Sequence, residues 1–199
     1  MIAITVMSVL ITKHLRMHYD NNYKLLWSSG AGKSTLSLEL TSTLKKLGYN
    51  TDYVPEYAKE LVYQKNYSLL SKPFSIFSTQ KERIDLLVDN NLDLAVTDSP
   101  LLLSSFYGSK YNYSDELFEH IVLHEHNKYD NINFFVNRTV DYKQEGRLEL
   151  EEESNENSYN LSEMLRRLNI QCVDINSDTP IKDIVSYIEN ALTNTKEIL

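Results

Sequence analysis

Cysteine, tryptophan, proline and glycine are scarce: 199 residues hold one, one, four and five of them. A lone Cys172 excludes an internal disulfide and fits a reducing, cytoplasmic compartment. Basic charge is outnumbered, with 20 Lys+Arg against 28 Asp+Glu. That argues against a broad electrostatic grip on nucleic acid. No membrane span is expected. The apolar, uncharged stretch from Met1 to Thr12 falls short of the roughly 20 residues a helix needs to cross a bilayer. Its cationic neighbours Lys13, His14 and Arg16 follow the apolar run, whereas a secretory signal carries them before it. The Val, Ile and Thr content favours an extra strand or a disordered extension. Residues 1–22 are therefore set apart as an N-terminal extension, and 23–199 are long enough for a single domain with a sizeable core.

Such sparing use of glycine suggests that it is kept for backbone positions that need it. Two of the five stand in Ser29-Gly30-Ala31-Gly32-Lys33-Ser34-Thr35. This run reads as the end of a phosphate-binding loop. Glycines let successive N–H groups converge on an anion, the lysine reaches the terminal phosphates, and the Ser34 hydroxyl can ligate Mg²⁺. A helix starting there turns its positive end to the same phosphates. The full pattern wants a glycine five positions before Gly32, where Trp27 stands. Tyr23–Trp27 reads as the strand that feeds the loop. Leu36, Leu38, Leu40, Leu44 and Leu47 supply an apolar helix after it, closed by Gly48.

Strands and helices then alternate. Thr51–Val54 reads as a strand stopped by Pro55, and a helix follows near Glu56 through Ala58, Leu61 and Val62. Residues 65–73 read as a loop, and Ile76–Val88 as a helix. Further strands are expected at Leu92–Thr97, Ile132–Val136 and Ile170–Ile175, with helices over 115–127, over about 158–168 and after Ile181. This order implies an α/β fold, a parallel sheet with helices on both faces. Ligands bind such sheets at the carboxyl ends of the strands. Lys33, Glu56, Asp98 and Arg138 all follow apolar runs read as strands and so converge on one rim.

Phosphoryl transfer is mostly positioning and charge neutralisation, and each part it needs has a candidate. Asp98 can hold Mg²⁺ with Ser34; the alternative is a helix cap. Glu56 can orient or deprotonate an acceptor hydroxyl, or merely favour a helix N-terminus. Gln80 and Arg83, three apart on one helix, can fix the base or a phosphate of a second substrate, or form a solvated face. Arg138 opens, and Arg147 lies within, a polar stretch at about 138–157 that reads as a lid able to close over phosphates. Its glutamates support an ordinary charged loop instead. His120, His124 and His126 carry an i, i+4 pair able to bind zinc, but no fourth ligand is evident. The 14 tyrosines fit packing better than a stacking platform in so acidic a chain. Ser177-Asp178 can touch a nucleotide base or form a turn.

Four segments occur in order: Gly30–Thr35; Val54-Pro55-Glu56-Tyr57-Ala58-Lys59-Glu60-Leu61; Thr97-Asp98-Ser99-Pro100; and Asn137-Arg138 with Tyr142 and Glu145-Gly146-Arg147. In them the chain resembles the P-loop kinase-like ATPases of the NadR type. Their best-known relative is the ribosylnicotinamide kinase domain of bifunctional NAD-regulating proteins. Small bacteriophage-encoded nucleotide-kinase-like ATPases, which work in the host cytoplasm, are similar too. The resemblance covers about residues 23–190. It implies a three-layer P-loop NTPase fold with a parallel five-stranded sheet of order 2-3-1-4-5. It also implies ATP and Mg²⁺ as cofactors and transfer of the γ-phosphoryl group to a small nucleoside or nucleotide acceptor. Lys33 and Ser34 would serve phosphate and metal, Asp98 metal and acceptor, Glu56 the acceptor, and Arg138 and Arg147 the lid. A non-catalytic or regulatory ATP-binding protein is the alternative.

Overall fold

The computed structural model describes residues 4–11, 32–110, 116–137, 139 and 151–196. Five strands form one sheet: β1 (Ile4–Ile11), β2 (Thr51–Val54), β3 (Leu94–Thr97), β4 (Asp130–Asn137) and β5 (Val173–Asn176). Their order is β2-β3-β1-β4-β5. β2 pairs with β3, and β4 with β5, in parallel. The eight helices among the described residues are α1 (Lys33–Lys46), α2 (Tyr57–Tyr63), α3 (Tyr67–Leu70), α4 (Pro73–Asp89), α5 (Leu102–Lys110), α6 (Glu116–His126), α7 (Glu151–Arg167) and α8 (Ile181–Lys196). α1 packs with α8 on one face. On the other face α4, α5 and α6 pack in series, and α7 joins α6 through the Arg167–Glu119 fork at 2.7 and 2.6 Å.

The sheet is mixed, which corrects the expectation of an all-parallel one. Its central strand is Ile4–Ile11, antiparallel to both neighbours, with Ser8 opposite Thr97 and Asn133, and Ile11 opposite Leu94 and Asp130. The order 2-3-1-4-5 holds, but the first strand is the N-terminal segment rather than Tyr23–Trp27, which lies outside the described residues. Of the readings of that segment, an extra strand, a disordered extension or, more distantly, a weak membrane association, the structure shows a strand, set at the centre of the sheet. The physical reason is burial on both sides. Met7, Ser8, Val9 and Leu10 are all buried, and a continuous β-branched apolar run suits a strand covered on both faces.

The core is continuous across the sheet, from Leu40 and Leu44 on α1 through Val9, Val96 and Phe134 to Ile84 on α4 and Val122 on α6. Two expected core residues of α1 face outward: Leu38 and Leu47 are 51% and 54% exposed. Residues 65–73 are not one loop, since α3 forms inside them and Pro73 begins α4. α7 starts at Glu151, so residues 151–157 are its first two turns and not part of a lid. Ser154, Asn157, Ser158, Leu161 and Leu165 are its buried face.

α1 closes as its glycine requires. Gly48, at φ 94°, donates to the Lys45 carbonyl and Tyr49 to the Leu44 carbonyl, both at 3.1 Å. This pair of bonds is the Schellman arrangement, with glycine at its left-handed position. An added Cβ would meet nothing within 4 Å, so strain alone sets the penalty. Gly48→Ala is expected to cost about 1 kcal/mol. Calorimetry should then show a melting temperature lower by about 2–4 °C, with ligand binding unchanged.

Candidate functional site

Three chain segments meet at the carboxyl end of β3. The strand is buried throughout and delivers Asp98 to the rim 1% exposed. Ser34, the second residue of α1, donates its Oγ proton to Asp98 Oδ2 at 2.6 Å. From α2, Lys59 Nζ donates to Ser34 Oγ at 3.3 Å. From β2, the Tyr53 hydroxyl faces both Asp98 and Ser34. Burial first, and the Asp98 charge second, push its pKa far above the usual phenol value, with Glu56 adding to the shift. Tyr53 is therefore a protonated donor at neutral pH.

Asp98 is bonded to Ser34 and does not cap a helix. Its other oxygen, Oδ1, is buried and no hydrogen bond of good geometry reaches it. A buried, unsatisfied polar atom costs about 1–3 kcal/mol, and more when charged. A hydroxyl oxygen beside such a carboxylate is a hard-oxygen donor set. It fits Mg²⁺, which binds proteins through one or two carboxylates and keeps phosphates and waters for the rest of its shell. Ser34 and Asp98 would hold the ion. Among the described residues no cluster of three or more His, Cys, Asp or Glu side chains offers a metal cage.

Gly32 begins α1 in the left-handed conformation, φ 78° and ψ 19°, and places no side-chain cap on the first turn. The first amides of the helix thus have no side-chain acceptor at the cap. No acidic residue lies in that turn, although the chain is acidic overall. Both features suit an anion there. Lys33 and Thr35 belong to the same turn. Ser29, Gly30 and Ala31 lie outside the described residues, as do Trp27, Arg138 and Arg147.

Glu56 stands at the start of α2 without a side-chain cap bond to it, and its charge bears on Tyr53. The structure therefore brings Glu56 to the rim that holds Ser34 and Asp98. Gln80 and Arg83 behave differently. Gln80 is 1% exposed, so it is not part of a solvated face. Its Oε1 accepts from the Tyr57 amide at 3.1 Å and its Nε2 donates to Thr97 Oγ1 at 3.4 Å. Both ends of the side chain are used within the protein, and it fixes the start of α2 against the end of β3. Arg83 forks onto Glu60 at 2.7 and 2.8 Å and lies 5.0 Å from the Tyr57 ring centre. The pair holds the Glu60 carboxyl below its ordinary range and raises the guanidinium above its own. Gln80 thus ties α4 to α2 and β3, and Arg83 ties it to α2. His120 and His124 are exposed on α6 while His126 is buried, so the three do not converge. Ser177 accepts from the Thr139 amide at 3.0 Å and donates its own amide to the Asn137 carbonyl at 2.8 Å, which makes it a turn that ties β4 to β5.

Sequence reasoning passed over Tyr53 and Lys59. The signals were positional: Tyr53 is the last residue but one of a strand that ends at the rim, and Lys59 shares a helix face with Glu56 at i, i+3.

A family model described as an AAA domain matches residues 28–182. The match begins at the loop, leaves β1 outside it, and includes Ser34, Tyr53, Glu56, Lys59 and Asp98. No curated protein matches the chain.

Proposed function

Because the chain belongs to the AAA-domain family, a family of P-loop NTPase type, we propose that it is an ATP-dependent phosphotransferase. Its acceptor is a nucleoside or nucleotide-like small molecule, of the ribosylnicotinamide-kinase or deoxynucleotide-kinase kind. The observation that carries the reading is the Ser34–Asp98 contact with its orphaned, buried Oδ1.

Ser34 and Asp98 would hold Mg²⁺, which when bound with ATP would supply neutralisation of the phosphate charge. The chain's own residues do the rest. Amides of the loop from Ser29 to Thr35, with Lys33, bind the polyphosphate. Ser34 and Asp98 orient the metal-bearing end. Glu56 accepts the proton of the acceptor hydroxyl as its oxygen bonds to the γ-phosphorus and the bond to the ADP oxygen breaks. Arg138 and Arg147 close over the phosphates and exclude water. Arg83 supports a hydroxyl acceptor over a monophosphate one, since Glu60 neutralises the charge a phosphate acceptor would need. No nucleic-acid or membrane partner belongs to this reading. No helix among the described residues is long and apolar enough to cross a membrane, and a cytoplasmic site of action suits a chain whose one cysteine is Cys172.

The test incubates the protein with ATP·Mg²⁺ and a panel of nucleosides, nucleotides and nicotinamide riboside. Release of ADP that depends on one acceptor supports the kinase. Release indifferent to every acceptor supports the regulatory ATPase alternative, which Trp27 at the loop entrance favours. With the responding acceptor, Glu56→Gln should lower kcat by about 10²–10⁴-fold and leave ATP binding nearly unchanged. An unchanged kcat would remove Glu56 from the reaction.

A further inference from the structure

Lys59 differs from the other lysines whose side chains the structure describes. Lys45, Lys81 and Lys128 each pair with a carboxylate. Lys46, Lys65, Lys72 and Lys182 are exposed. Lys59 is half-buried, forms no ion pair among the described residues, and gives its one hydrogen bond to a hydroxyl, Ser34 Oγ. A neutral hydroxyl compensates little of an ammonium charge that has left bulk water. Such a group, held at a polar rim, is disposed toward an anion.

The bonding of Ser34 says which anion. Its single proton goes to Asp98, so Lys59 takes one of its two lone pairs. A divalent ion on Ser34 needs a lone pair as well. An ammonium and a dication repel each other and do not share one hydroxyl oxygen at contact distance. When nucleotide and metal bind, the ammonium has to move to a nearby acceptor. Phosphate oxygens are the acceptors that enter with them, and the terminal phosphates are the ones whose charge a metal held by Ser34 and Asp98 would neutralise. In the proposed reading the loop amides serve the inner phosphates.

We propose that Lys59 is a second phosphate-binding cation. It reaches the γ-phosphate of bound ATP from α2, whereas Lys33 stands on α1. It binds non-bridging oxygens and takes no proton, so no bond is made or broken at Lys59. Its effect is to distinguish a nucleoside triphosphate from a diphosphate and to hold the transferring group from the side on which Glu56 stands. This inference rests on the ATP-binding reading of the same site.

The experiment titrates wild type, Lys59→Met and Lys59→Arg with fluorescent N-methylanthraniloyl derivatives of ATP and ADP, once with Mg²⁺ and once with EDTA. Losing one charge-assisted contact should weaken ATP binding about tenfold or more, in EDTA as well. ADP binding should change by less than about threefold, and Lys59→Arg should recover most of the ATP affinity. An equal loss for both nucleotides would mean that Lys59 only shapes the site, and no loss would mean that it touches neither; either result overturns the inference. Should Lys59→Met fail to fold, Lys59→Gln carries the same comparison. A wild type that binds ATP while its Lys59 variants stay unaffected removes this inference alone. A wild type that binds neither nucleotide removes the parent reading and this inference with it.

Discussion

Asp98→Asn is expected to abolish most turnover without weakening the fold. The substitution keeps the shape of a side chain that is 1% exposed but removes a negative charge, one oxygen of which receives no hydrogen bond of good geometry. Burying a charge in that state opposes folding. The amide is neutral, so the melting temperature should hold or rise. Catalysis should move the other way, because the carboxylate is the one anionic ligand that the described chain places beside Ser34. A loss on the order of a thousandfold is the scale set by removing one preorganised electrostatic group from an active site. A residue that strains the fold while serving chemistry gives this pairing of opposite signs. A structural aspartate would give lower stability and a smaller change in rate. Thermal melting and steady-state turnover on the same preparation distinguish the two.

Acidification should destabilise the protein well above the range in which carboxylates titrate, and His126 is the cause. It ends α6, 4% exposed, and burial pushes its pKa from 6.5 down to about 4. The folded state therefore keeps the imidazole neutral where the unfolded state protonates it. Unfolded chains bind more protons between those two values, so stability is full above pH 6.5 and falls as the pH drops toward 4. Below about 4 both states are protonated and this contribution levels off. The gap corresponds to about 3 kcal/mol. Glu60, Glu119 and Glu125, whose carboxyls are held below their ordinary value by Arg83, Arg167 and Lys128, stabilise above the usual carboxylate range and lose that contribution only in stronger acid. Asp130, whose carboxyl is raised by burial, works in the opposite sense, so among the described residues a fall in stability between pH 6.5 and 5 is the mark of His126. Denaturant melts at a series of pH values should show it, and His126→Leu should flatten it. A flat profile in the wild type would mean that the imidazole is solvated or compensated.

How much of this was readable from sequence depended on where the signal lay. Gly32, Lys33 and Ser34 announce themselves because phosphate binding demands a local backbone and a fixed spacing. Apolar runs gave β3 and β4 within a few positions, because strands covered on both faces need such runs, and β2, bounded by Pro55, is found over Thr51–Val54 as read. The same pattern also marks Ile4–Ile11 as a strand, yet it contains nothing about direction or place. A run buried on both faces reads alike in either orientation, and the register that sets Ser8 against Thr97 is a long-range fact. α7 was cut short for a different reason. Its first turns bury Ser154, Asn157 and Ser158, so the helical period is present but is written in small polar residues rather than apolar ones. Gln80 misled in the same way: a polar residue on a helix is assumed to face water, and this one satisfies the Tyr57 amide inside the protein. At the site, the strand-end rule places Glu56 and Asp98 on one rim with the loop, and the structure has Ser34 and Asp98 in contact. Tyr53 and Lys59 were passed over because Tyr53 lies just before the Val54–Leu61 segment and Lys59 within it carries no role readable from spacing; only the packing of β2 and α2 brings them to Ser34.

Calorimetric titration with ATP·Mg²⁺ of the wild type and of Asp98→Asn is the most direct test of the site. The account predicts saturable one-to-one binding by the wild type, and binding at least tenfold weaker by a variant that melts no lower. Equal affinity in the two proteins, or no heat of binding in the wild type, would contradict it.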